Sequence, residues 1–188
     1  MIAFKKKLIN YVMYNLVDKW KFIYLELELN DYIFSLENTN DSLVVRVAER
    51  NDVDKIKEDI YPQLGPAEEN DKKYIERIGD DDFTCFIVEK DGCIIHYFLI
   101  FEKALNSPLA KTPFNMSLIK ENDAYLGTAF TAPKARGLWV VPISLSAILK
   151  YLRDSAKCKK VYVLVHKDTP GAKDFYVKLG FDVVTNKN

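Results

Sequence analysis

The sequence has no excess charge of either sign: 27 Lys and Arg stand against 27 Asp and Glu. A surface built to neutralise a run of phosphates carries a basic excess, so nucleic acid is not expected as a partner. Cysteine is scarce. Cys85, Cys93 and Cys158 leave one thiol over under any pairing, and no signal-peptide pattern precedes them. The expectation is a reducing, cytoplasmic setting without disulfides. The two histidines, His96 and His166, lie far apart and share no metal-type spacing with the cysteines. No metal is expected. No apolar run approaches the roughly 20 residues that cross a bilayer, so a transmembrane segment is not expected either.

What is present is core material. Of the 188 residues, 48% are hydrophobic, enough for one domain, or one domain with an extension. In "FKKKLINYVMYNLVDKW" the residues Leu8, Ile9, Val12, Met13 and Leu16 recur at helical spacing, with Lys5 to Lys7 at one end. The pattern predicts a helix packed on this domain or a partner, with peripheral membrane contact as the alternative. Ile23, Leu25, Leu27 and Leu29 alternate with polar neighbours, which predicts a half-buried strand. The polar stretch after it separates a helix-strand extension, residues 1–40, from a domain over residues 41–188.

Within that domain Leu43 to Ala48 reads as a strand. Val53, Ile56 and Ile60 share a helix face, with Asn51 as N-cap candidate and Pro62 as stop. A second, more polar helix ends at Gly79. Two apolar runs flank Asp91-Gly92, the pair a type I′ hairpin turn prefers. That turn pairs Cys93 with Lys90 and Cys85 with Phe98, and both strands look covered on both faces. A loop with two prolines follows, then a strand from Ala124 to Pro133. Leu145, Ile148, Leu149 and Leu152 stripe the next helix, with Pro142 near its start. Val161 to His166 is a strand. Ala172, Phe175, Tyr176 and Leu179 stripe a last helix, with Thr169 as N-cap candidate, Pro170 first and Gly180 as stop. The class is mixed α/β, and the helical crossover after the fifth strand predicts a parallel strand pair.

The chemistry concentrates at "TAPKARGLWVVPIS". A strand that turns sharply into a helix aims free backbone N–H groups at one point, where the helix dipole adds positive charge. Gly137 allows the turn, and Lys134 and Arg136 add charge. By themselves these features also describe an ordinary strand-to-helix turn.

Two segments and the order of elements resemble the GCN5-related N-acetyltransferase (GNAT) superfamily, over about Leu43 to Val184. "APKARGLWVVPISLSAILKYL" is similar to the family's Pro-x-x-Arg-Gly-x-Gly-type loop and the helix after it. "TPGAKDFYVKLGF" is similar to the family's Asn-x-x-Ala-x-x-Phe/Leu-Tyr-x-x-x-Gly-Phe helix from Ala172 to Phe181, with Thr169 where Asn is usual. The resemblance implies an acyl-CoA N-acyltransferase fold: a mostly antiparallel sheet with a parallel pair splayed around the cofactor. It implies acetyl-CoA as co-substrate, without metal. Backbone of Phe130, Thr131 and Ala132 would hold pantetheine and thioester. The loop Arg136, Gly137, Leu138, Trp139, Val140 and Val141 would hold pyrophosphate, with Thr169 beside the cofactor. Tyr176 would be the catalytic acid for the leaving thiolate.

Trp139 stands where the family has its second glycine, and Val141 where Gly or Ala is common. Both departures, with Thr169, point also to a second reading, a GNAT-fold binding module that no longer catalyses, with or without CoA. Glu102, Glu121 and Asp123 are the candidates for a general base. His96 reads as a core histidine, and His166 as a residue near the cofactor edge. The "FIYLELEL" unit and the Arg-Gly…Pro-helix pattern are similar to bacterial members placed in surface-polysaccharide synthesis. A small-molecule amine, an amino sugar first, is therefore the expected acceptor, and a homodimer is compatible with the resemblance.

Overall fold

The computed structural model describes residues 21–30, 42–65 and 69–184. The amphipathic stretch before Lys21 lies outside them. The strands are β1 (Phe22–Glu28), β2 (Leu43–Val47), β3 (Thr84–Lys90), β4 (Cys93–Phe101), β5 (Asp123–Thr131), β6 (Lys160–His166) and β7 (Asp182–Val183). The α-helices are α1 (Val53–Asp59), α2 (Asp71–Ile75), α3 (Val140–Asp154) and α4 (Ala172–Lys178). One seven-stranded sheet runs in the order β2-β3-β4-β5-β6-β1-β7. All its pairs are antiparallel except β5–β6, the parallel pair that the crossover helix predicts. β1 lies inside the sheet, paired along its whole length with β6, Phe22 opposite His166 through Glu28 opposite Lys160.

The apolar runs of β3 and β4 are covered on both faces. Tyr97 and Leu99 belong to one buried cluster, with Ile56 of α1 and Ile75 of α2. Phe98 and Ile100 belong to the other, with Leu145, Ile148, Leu149 and Leu152 of α3. The stripe predicted for α3 is therefore the face that covers the sheet, and Leu145, Ile148 and Leu152 have no exposed surface.

Asp91 and Gly92 both take positive φ, 51° and 78°, and Lys90 pairs with Cys93 as the turn predicts. From Val88 back towards Thr84 the predicted register is off by one. A bulge between Val88 and Glu89 absorbs a residue, so Cys85 faces Leu99, not Phe98. The three thiols are free, and burial pushes Cys85 up to about 12 and Cys158 up to about 11.

Helix ends differ from expectation in four places, the first being α2, which ends at Ile75 and continues as turn to Gly79. Arg50–Asp52 forms a 3₁₀ turn ahead of α1, so Asn51 is not its N-cap. Pro62 sits in a second 3₁₀ turn, Tyr61–Gln63, rather than stopping the α-helix. At α4 the N-cap is Gly171, with φ 72°. Thr169 and Pro170 fall in the turn before it, because a left-handed glycine is needed to aim the chain into the helix. Gly180 does close α4, with φ 92°.

Candidate functional site

The site begins with a parting in the sheet. β5 and β6 pair only from Asp123 opposite Lys160 to Leu126 opposite Val163. β5 continues to Thr131 and β6 to His166, but no ladder joins them there. The cause lies on the other side of β5. Its register with β4 shifts, with Phe98 opposite Ala129 but Ile100 opposite Leu126. Gly127 sits at that extra residue. A Cβ there would come within 2.8 Å of Phe101 Cε2 and 3.0 Å of the Leu99 carbonyl oxygen, so only glycine lets β5 press against β4 while it turns away from β6.

Past Thr131, the turn Pro133–Ala135 and residues 136–139 lead into α3. Gly137 has φ 86° and Trp139 φ 60°. Left-handed residues at this spacing fold successive N–H groups into a concave nest that suits an anion. Trp139 is the N-cap of α3 and offers no side-chain cap. Among the described residues, the N–H groups of Gly137, Trp139, Val140 and Val141 have no acceptor, and Pro142 has no N–H to satisfy. Orphan donors at a helix start, with the positive end of its dipole, are what a phosphate fits.

A cavity of about 510 Å³ adjoins this turn, walled by Thr131, Ala135, Arg136, Gly137, Trp139, Val140, Val141, Pro142 and Phe175. Its one ionisable side chain is Arg136, whose Nε donates to the Thr131 carbonyl at 3.4 Å. The exposed lining is otherwise mostly apolar, and none of the described residues that wall it is a carboxylate. Trp139 is 68% exposed and forms part of that wall.

The predicted cofactor residues sort as follows. Thr131, Arg136, Gly137, Trp139, Val140 and Val141 meet at the cavity. Phe130 and Ala132 are buried beside it. Leu138 faces a separate small cavity with Lys134, and Thr169 is exposed ahead of α4. From α4 it is Phe175 that reaches the wall. Tyr176 turns onto Phe181, ring centroids 5.2 Å apart, and burial holds its hydroxyl well above the usual tyrosine range. Burial likewise raises the pKa of Tyr125 on β5. His166, at the open end of β6, packs edge-on to Phe22. The stripe spacing puts Phe175 and Tyr176 on one helix face without saying which of them fronts the cavity.

None of the expected general bases lies at the parting. Glu102 accepts from Thr84 Oγ1 and Tyr151 Oη, both at 2.6 Å, in another cavity. Asp123 accepts from the Lys120 N–H at 2.8 Å, at the closed end of the pair, and burial raises its pKa. Glu121 is exposed in the preceding turn. A residue the sequence reading passed over does reach the region. Asp71 accepts from Tyr97 Oη at 2.7 Å, and lines a cavity of about 470 Å³ with Tyr74, Lys73 and Thr128 of the open part of β5. Among the described residues no group of His, Cys, Asp and Glu could hold a metal ion, and no helix is long and apolar enough to cross a membrane.

Comparison with known proteins gives a consistent result. The family model described as "Acetyltransferase (GNAT) family" matches residues 50–181. No curated protein matches the sequence. Among solved structures, a functionally unknown conserved protein from Staphylococcus epidermidis shares 11% identity and a TM-score of 0.55, over 92% of this chain and 63% of that one. A ribosomal-protein-alanine N-acetyltransferase from Brucella melitensis biovar Abortus shares 9% and 0.53, over 72% and 89%. AAC(6')-Iy, solved with the bisubstrate analogue CoA-S-monomethyl-acetylneamine, shares 14% and 0.53, over 78% and 97%.

Proposed function

Because the chain belongs to the acetyltransferase (GNAT) family, we propose that it moves an acetyl group from acetyl-CoA to the primary amine of a small molecule, an amino sugar first among them. The observation that carries this is the set of unpartnered N–H groups of Gly137, Trp139, Val140 and Val141 at the mouth of the β5–β6 parting. The residues fit the cofactor: the turn takes the pyrophosphate, Arg136 adds charge, and the unpaired edge of β5 around Phe130 to Ala132 offers backbone groups to the pantetheine arm.

Acetyl-CoA supplies an activated thioester carbonyl. The chain supplies position and charge. The amine enters from the cavity of Asp71 and Thr128, which Lys73, Arg77 and Lys111 also line, and loses its proton to water before it attacks. The Tyr176 hydroxyl stays protonated and gives its proton to the departing thiolate. Of the similar structures, AAC(6')-Iy is an aminoglycoside N-acetyltransferase and another is a ribosomal-protein-alanine N-acetyltransferase; the first supports the amino-sugar reading. A cytoplasmic setting accords with three free thiols.

Acetyl-CoA turnover against a panel of amines, amino sugars included, tests the reading. Turnover with any of them supports it. Tight acetyl-CoA binding without turnover favours the second reading, a binding module with CoA as ligand, for which the exposed Trp139 at the loop is the favouring observation.

A further inference from the structure

His96 has no exposed surface. It lies on β4 directly opposite Thr131 of β5, and its Nδ1 is 2.8 Å from Thr131 Oγ1. Nε2 is buried with no hydrogen-bond partner. Burial pushes the ring down to about 3, against a weaker upward pull from the Phe130 carbonyl, so the imidazole is neutral and carries one N–H. If that proton sat on Nε2, a buried donor would be orphaned. If it sits on Nδ1, only a lone pair goes unmatched, which is the cheaper defect. The ring therefore donates through Nδ1 to Thr131 Oγ1. A hydroxyl has one proton and two lone pairs. With one lone pair committed to His96, the Thr131 proton must point elsewhere, and Thr131 lines the cavity at the pyrophosphate turn.

We propose that His96 is a positioning residue that locks the Thr131 hydroxyl as a donor into the cleft, where it holds a carbonyl oxygen of the bound acyl-CoA. This rests on the cleft being an acyl-CoA site.

Two measurements decide it. Long-range ¹⁵N–¹H correlation spectra of the free protein should show His96 as the neutral Nδ1–H tautomer throughout pH 5 to 9. An Nε2–H tautomer or a ring that titrates in that window overturns the proposal. Calorimetry with acetyl-CoA and with CoA should show Thr131→Val weakening binding about three- to tenfold, the worth of one net hydrogen bond, and Thr131→Ser restoring it. A loss for both compounds places the acceptor on the pantetheine arm; a loss for acetyl-CoA alone places it on the thioester. His96→Leu should cause a similar loss in the native background and none on top of Thr131→Val. Additive losses overturn the proposal. The threonine variants leave His96 in place and carry the test even where His96→Leu fails to fold. Wild-type protein that binds neither compound sinks the acyl-CoA reading itself; wild type that binds, with Thr131→Val unchanged, sinks only this inference.

Discussion

Trp139 holds a left-handed conformation, φ 60° and ψ 18°, that a β-carbon disfavours by about 1–2 kcal/mol. Its side chain is 68% exposed, so it recovers little of that by burial. Trp139→Gly relieves the strain and gives back about 0.5–1 kcal/mol in unfolded-state freedom. Thermal unfolding should therefore show Tm unchanged or raised, although the largest side chain type is being deleted; a marked fall would mean that the ring packs more than its exposure implies. Tyr176 yields a kinetic prediction. Burial raises its pKa, so it remains an acid beyond the ordinary tyrosine value of about 10. Tyr176→Phe should lower kcat by about 10² or more while leaving acetyl-CoA affinity intact. In the wild type, kcat should show no loss from this group up to about pH 10. Equal kcat in the two proteins would remove Tyr176 from the chemistry. Both residues could be singled out from sequence through the family's loop and helix patterns. That Trp139 keeps the glycine-like backbone could not, since sequence states which residue is present and not which φ it is forced to take.

At the scale of elements, the register shift between β4 and β5 falls where the site opens, and neither it nor the shift in the β3–β4 hairpin was legible. Turn chemistry at Asp91-Gly92 set the first pair of the hairpin correctly, Lys90 with Cys93, but nothing local in "IVEK" announces the bulge at Val88/Glu89. Gly127 was visible as a glycine in a strand, a sign of close backbone approach, without the partner it approaches. Gly127→Ala drives a Cβ to 2.8 Å from the Phe101 ring and 3.0 Å from the Leu99 carbonyl oxygen. It should cost about 1–3 kcal/mol by chemical denaturation, and weaken acetyl-CoA binding too, because it disturbs the point where β5 leaves β6. A neutral effect on both would separate the glycine from the parting.

The first helix carries its own test. Arg46 on β2 grips Asp52 through both guanidinium ends, at 2.6 and 2.7 Å, and also bonds Glu89. The Arg46 hydrogen bond holds the Asp52 carboxyl below its usual range. A lowered folded-state pKa gives stability that is present above the unfolded value, about 4, and lost as pH falls through the folded one. Arg46 is 36% exposed on its side chain, so solvent screening limits the gain. Asp52→Asn should cost about 1–2 kcal/mol at pH 7, with the two stability curves converging below about pH 4. A gap that persists in acid would point to packing instead of charge.

Across the whole molecule, the hydrophobic periods were enough for the class, the strand and helix order, the parallel pair and the double-faced core, because each rests on short-range spacing. The cavity is different. Its wall draws on the end of β5, the turn and α4, and its companion on α2 and Thr128, contacts that bring together residues far apart in the chain. The same holds for β1, which pairs with β6 more than a hundred residues later. Sequence could name most of the turn's residues and could not show that Phe175 fronts it, or that His96 stands behind Thr131.

The central claim is that the uncapped turn from Arg136 to Val141 is a pyrophosphate site. It is tested most directly by calorimetric titration of the wild-type protein with acetyl-CoA, with Trp139→Gly titrated alongside. The account predicts saturable one-site binding by the wild type, weakened by added salt as a charged contact must be, and equal or tighter binding by the glycine variant. Two folded proteins that both fail to bind would contradict it.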